Sequence, residues 1–177
     1  VGYRKRREYR RAAMLAMWLA REQLFLNANT SAMRGWFARA ERLLQDVEPC
    51  VEQGWFILFR ASVLAAPREL ERTGLEAFQI ARQFDDADLE AMALAFVGTA
   101  RVTLGQVDRG MADLDEAMAA ATSGEIGYTS VSEIFCVMLS TCDLTGDLIR
   151  TEQWCQAAAD FAAQHHCPFL AATCRTI

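Results

Sequence analysis

Proline is scarce in this chain of 177 residues: it holds three, alongside ten glycines. So few breaks, with a hydrophobic share of 53%, exclude a disordered or low-complexity segment and suit packed helices. No apolar run reaches the roughly 18 residues that a membrane-spanning helix needs. No signal peptide is read at the start, because Tyr3 to Arg11 is basic and no uninterrupted apolar core follows. The first residue is Val, so the chain is expected to be a piece of a longer protein. Histidine occurs only at His165 and His166, which leaves little material for acid–base chemistry. The six cysteines (Cys50, Cys136, Cys142, Cys155, Cys167 and Cys174) form no C-x-x-C pair. Most sit in apolar helical patterns, as in Ile134-Phe135-Cys136-Val137-Met138, where a free thiol behaves as a small hydrophobe. A reducing, cytoplasmic setting is expected. No Walker-type Gly-Lys-Ser/Thr loop is present to hold nucleotide phosphates.

What is present is helix-forming sequence nearly throughout. A first helix is predicted from about Arg4 to Leu26, ending at Asn27-Ala28-Asn29-Thr30. Thr30 or Ser31 is expected to cap a second, whose Met33, Trp36, Phe37, Ala40, Leu43 and Leu44 share a face. Proline tolerates only the first turn of a helix, so further helices should start near Pro49 and Pro67. The stretch Asp85-Asp86-Ala87-Asp88 reads as a stop and a new cap. Leu89 to Gly105 and Val107 to Met118 then read as helix, glycine stop, helix, with small residues where the two would touch. A seventh helix carries Val131, Ile134, Phe135, Met138, Leu139 and Cys142 as its buried stripe. An eighth carries Leu148, Thr151, Trp154, Cys155, Ala158, Phe161 and Ala162. Phe169 to Ile177 reads as a ninth helix cut short.

Four helical pairs result. The second helix of each holds a large apolar residue, at Trp36, Leu75, Leu114 and Trp154, in steps of 39, 39 and 40. A hairpin of this kind cannot bury its apolar face alone and must stack on others. The predicted fold is all-α, a helical-repeat array, with residues 1–177 as one domain because composition does not break between pairs.

The third pair resembles the tetratricopeptide repeat (TPR). Leu94 and Val97 stand at its apolar positions, Gly98 at its small one and Gly105 at its turn. Gly110, Leu114 and Ala117 follow its small, large, small pattern. Arg101 replaces the usual aromatic and Gly110 the usual Ala; Arg39 in the first pair and Arg150 in the fourth also depart from the pattern. The resemblance implies a TPR-like α-α superhelix, a right-handed solenoid of about four hairpins plus a partial ninth helix.

Gly35 to Leu44, Leu89 to Glu125 and Asp147 to Ala158 further resemble the helical-repeat region of actinobacterial LuxR-type (MalT-like) transcriptional regulators. That resemblance implies a sensor or assembly segment. It would act between a nucleotide-binding module and a helix-turn-helix, neither of which lies in these residues.

Candidate sites were weighed on these terms. By family analogy Met92, Ala95 and Thr99 would face a concave groove that takes a peptide or a small-molecule effector. Arg4, Lys5, Arg6, Arg7, Arg10 and Arg11 form a basic cluster in a chain of formal net charge −5. It reads as a solvated helix face, an interdomain contact or, least favoured, a nucleic-acid contact. His165-His166-Cys167 with Cys174 reads as a helix-end loop, because adjacent histidines on one backbone rarely converge on a metal. No catalytic residue, metal or cofactor is expected, since no convergent polar constellation is visible. Expected partners are a protein or peptide segment, flanking domains of the parent chain, a small-molecule effector or a second copy. Neither nucleic acid nor membrane is expected as a direct partner of this segment. A structural spacer or self-association scaffold in a multidomain ATPase or cyclase-like protein is the alternative.

Overall fold

The computed structural model of the protein describes residues 6–165, with side chains from Glu8 onward. The fold is all-α: among the described residues there are eight helices and no strand. They are α1 (Arg6–Phe25), α2 (Thr30–Leu44), α3 (Val51–Leu64), α4 (Pro67–Phe84), α5 (Ala87–Thr103), α6 (Val107–Ser123), α7 (Tyr128–Thr145) and α8 (Leu148–Gln164). No helix of the described residues is long and apolar enough to cross a membrane. The expected ninth helix lies outside the described residues.

Local chemistry sets the boundaries. Pro67 takes the first turn of α4, where its missing N–H leaves no bond unmade. The cap of α2 is Asn29, whose side chain accepts from the Ala32 N–H at 3.0 Å; this is one residue before Thr30 and two before Ser31, the caps expected. The start of α3 falls two residues past Pro49, where the Cys50 N–H donates to Gln53 Oε1 at 3.2 Å. α7 ends on Gly146 at φ 69°, a left-handed conformation that a side chain disfavours.

Contacts divide the chain into two compact units, one ending at Asp86 and one beginning at Ala87. The break falls at Asp85 and Asp86, the two-residue connection between α4 and α5. In the first unit α1 pairs with α2 and α3 with α4, and α3 also lies against both α1 and α2. Met17, Met33, Phe37, Leu58 and Phe59 are buried. Trp18 and Phe37 meet the rings of Phe59 and Phe56 edge-on, with centroids 5.3 and 6.3 Å apart.

The second unit repeats the scheme. α5 pairs with α6, and α7 lies against both and carries α8. The expected α7 stripe of Val131, Ile134, Phe135, Met138, Leu139 and Cys142 is buried in full. Gly98 and Gly110 set how closely α5 and α6 approach: a Cβ on Gly98 would stand 2.7 Å from the Gly110 carbonyl oxygen.

The four large residues that marked the repeat do not occupy equivalent seams. Leu114 is fully buried, Trp36 and Trp154 are half-buried, and Leu75 is 42% exposed. Helix geometry gives the reason: one residue of slip turns a side chain by about 100°. The neighbours Phe37 and Gly74 point inward instead, and α4 buries a face of small residues, Thr73, Gly74, Ala77 and Ala81.

Candidate interaction surface

The groove residues expected on α5 face inward. Met92 and Ala95 are buried, so neither offers its side chain to an outside ligand. Thr99 is half-buried, and its hydroxyl lies 2.9 Å from that of Thr141 on α7. Thr99 also donates to the Ala95 carbonyl, and Thr141 to that of Val137. At the other end of the same seam the Gly127 N–H, at the start of α7, donates to Asp88 Oδ1 at 3.0 Å. α5 and α7 therefore run parallel with their first turns level, and Thr99 is one of the residues that join them.

Of the basic cluster, Arg4 and Lys5 and the side chains of Arg6 and Arg7 lie outside the described residues. Arg11 is exposed on α1. Arg10 is half-buried and lines a cleft of about 730 Å³ together with Tyr9, Arg42, Asp46 and Glu48. Asp46 and Glu48 thus place negative charge beside it. His165 ends α8 as its cap residue, with its N–H donating to the Phe161 carbonyl. Its ring rests on Phe161 at 4.2 Å between centroids, and its Nδ1 is 3.3 Å from the Tyr128 hydroxyl. Cys167, Cys174 and His166 lie outside the described residues. Among the described residues no group of three or more His, Cys, Asp or Glu side chains is placed to share a metal ion. Burial pushes the thiols of Cys50 and Cys142 up, away from the thiolate form.

Two charged features were not read from the sequence. The first is a buried ion pair between the hairpin partners α5 and α6: Arg101 Nη1 lies 2.6 Å from Asp113 Oδ2. It gives an arginine in the otherwise apolar α5 a carboxylate across the hairpin. The second ties α6 to α8. Arg150 donates to both oxygens of Asp115 at 3.2 and 3.0 Å, and to Asp147 at 2.6 Å. Trp154 Nε1 adds a bond to Asp115 Oδ1 at 3.3 Å. The hydrogen bonds it donates to Asp115 are the largest influence holding the Arg150 guanidinium above its ordinary value. Asp147 caps α8, and the Arg150 backbone N–H, ahead of its guanidinium, holds that carboxyl below the usual range.

This clasp lies in a cleft of about 580 Å³ along α8, lined by Asp115, Asp147, Ile149, Arg150, Gln153, Trp154 and Ala157. Ile149, Gln153 and Ala157 follow at steps of four and form one wall. Beside it the α7–α8 corner leaves three aliphatic side chains in solvent: Leu144 at 63% exposure, Leu148 at 78% and Ile149 at 73%. The spacings of 35 and 39 residues from Asp115 to Arg150 and Trp154 become meaningful only once α6 and α8 are known to be neighbours.

No family model matches the chain, and no curated protein and no solved structure matches it.

Proposed function

We propose that this chain is a non-catalytic helical-repeat module of the tetratricopeptide type, which binds a protein segment or an effector within a LuxR-type transcriptional regulator. The observation that carries the reading is a packing rule used twice. In each unit the first helix of the second hairpin lies against both helices of the first: α3 on α1 and α2, α7 on α5 and α6. Stacked hairpins present their surface to partners, and they bias a switch only by binding one of its states more tightly. The exposed aliphatic corner at Leu144, Leu148 and Ile149 favours binding over a passive spacer, whose surface would be uniformly polar.

The test is isothermal titration of the 177-residue chain with the nucleotide-binding and helix-turn-helix modules of the full-length regulator. Saturable binding of at least one module is expected. Binding of neither, together with concentration-dependent self-association in light scattering, would replace this reading with the self-association scaffold.

A further inference from the structure

The charge of this protein is divided unevenly along the chain. Residues 1–86 hold fourteen Lys and Arg against eleven Asp and Glu, while residues 87–177 hold four against twelve. Within the second unit two of the four cations are engaged with carboxylates, and Arg109 is exposed near the start of α6. Arg101 is buried in its pair with Asp113, and Arg150 is held between Asp115 and Asp147. At the α7–α8 corner Asp143, in the last turn of α7, and Glu152, in the first turns of α8, are exposed. Glu152 stands four residues after Leu148 and three after Ile149, on the same face of α8. The corner thus presents aliphatic side chains with exposed carboxylates beside them.

The cleft has the dimensions of a helix seat. From Ile149 to Ala157 its wall spans eight residues of α8, about 12 Å, or two turns of a helix laid alongside. We propose that this cleft and the adjoining Leu148 and Leu144 dock a basic amphipathic helix of a partner protein, with its apolar stripe on Ile149 and Leu148 and its Lys or Arg flanks over Asp143 and Glu152. Helix-in-groove recognition reads apolar anchors at steps of three and four on the docked helix, and Ile149 and Ala157 are the apolar residues of the wall. Complementary charge fixes the register and speeds the encounter. The same carboxylates repel nucleic acid and anionic lipid, which leaves a cationic protein segment as the fitting occupant. This inference rests on the binding-module reading and names the surface and the partner for it.

The experiment titrates the full chain with three synthetic peptides of about 18 residues. One carries Leu on a single helical face with Lys elsewhere, one has Glu in place of Lys, and one has the first composition in scrambled order. The Leu/Lys amphipathic peptide is expected to bind saturably, one per chain, at least tenfold more tightly than either control. Leu148→Ser with Ile149→Ser should weaken it tenfold or more, and so should Asp143→Lys with Glu152→Lys. All four positions are on the surface, and circular dichroism confirms that each variant keeps its helix content. Equal binding of the scrambled or Glu peptide, or undiminished binding by both variants, overturns the proposal. So does dimerisation through these residues without peptide binding, which would assign the face to a second copy. If the regulator's own modules bind the Leu148→Ser, Ile149→Ser chain as tightly as the parent, this surface fails and the binding-module reading stands. If they bind neither chain, that reading fails.

Discussion

Gly98 and Gly110 face each other across the α5–α6 hairpin so closely that neither has room for a methyl group. A Cβ on Gly98 would meet the Gly110 carbonyl oxygen at 2.7 Å and Leu114 Cγ at 2.8 Å. One on Gly110 would meet Val102 Cγ2 at 2.7 Å and the Val102 nitrogen at 2.8 Å. Gly35, in α2, has nothing within 4 Å of such a position. Alanine at Gly35 should therefore stabilise the protein by about 0.5–1 kcal/mol, the helix-propensity difference alone. Alanine at Gly98 or Gly110 gains the same but forces two backbones apart, which costs about 1–3 kcal/mol and more where backbone atoms must move. Urea denaturation should show opposite signs for Gly35→Ala and Gly110→Ala; the same sign for both would reject the close approach.

The Arg101–Asp113 pair should behave as a unit. Removing one partner leaves the other charge buried, at a cost of about 3–5 kcal/mol. Replacing both, as in Arg101→Leu with Asp113→Leu, should recover most of that loss. A double-mutant cycle in denaturant measures the coupling. Additive single and double variants would show that the two groups act independently.

Phe37 and Trp36 are neighbours with different roles. Phe37 is buried against Phe56, so Phe37→Ala should cost about 3–5 kcal/mol. Trp36 is half-buried with the Arg39 guanidinium 5.7 Å from its ring centre, so Trp36→Ala should cost clearly less. The reverse order of the two losses would place the seam where the repeat spacing first suggested.

Asp147 supplies a pH signature. Its folded-state pKa is depressed by the Arg150 backbone N–H first and the guanidinium after it. A depressed carboxyl contributes stability above its unfolded value, and that stability is lost as pH falls through the folded value. Asparagine keeps the helix cap but removes the charge. Asp147→Asn should therefore be less stable than the parent at neutral pH, with the gap closing as pH falls below the ordinary carboxylate range. An unchanged gap at acid pH would show that the charge contributes nothing.

Element type was legible in the sequence; facing was legible only in part. The α7 stripe could be read because six large apolar residues recur at steps of three and four, and one face of a helix is the only surface that gathers them. α4 misled because its large residues, Leu75 and Phe84, lie outside while its small ones are buried. Hydrophobic periodicity weights size, whereas close helix packing selects smallness. The same preference lay behind the small residues expected where α5 and α6 touch, and Gly98 and Gly110 are the pair that meets there. The Asp115–Arg150–Trp154 clasp was out of reach: charged residues at long separation carry no periodic signal, and Asp115 by itself reads as a solvated face. Met92 and Ala95 were assigned to a groove by analogy, but their burial depends on neighbours that spacing alone does not identify.

The repeat reading stands on the parallel alignment of α5 and α7, and a through-space proton NMR spectrum of the intact chain tests it most directly. Cross-peaks between the side chains of Thr99 and Thr141, and between the Gly127 amide and the Asp88 side chain, are expected together. Their joint absence, with α7 instead showing contacts that place its first turn beside the end of α5, would contradict the account.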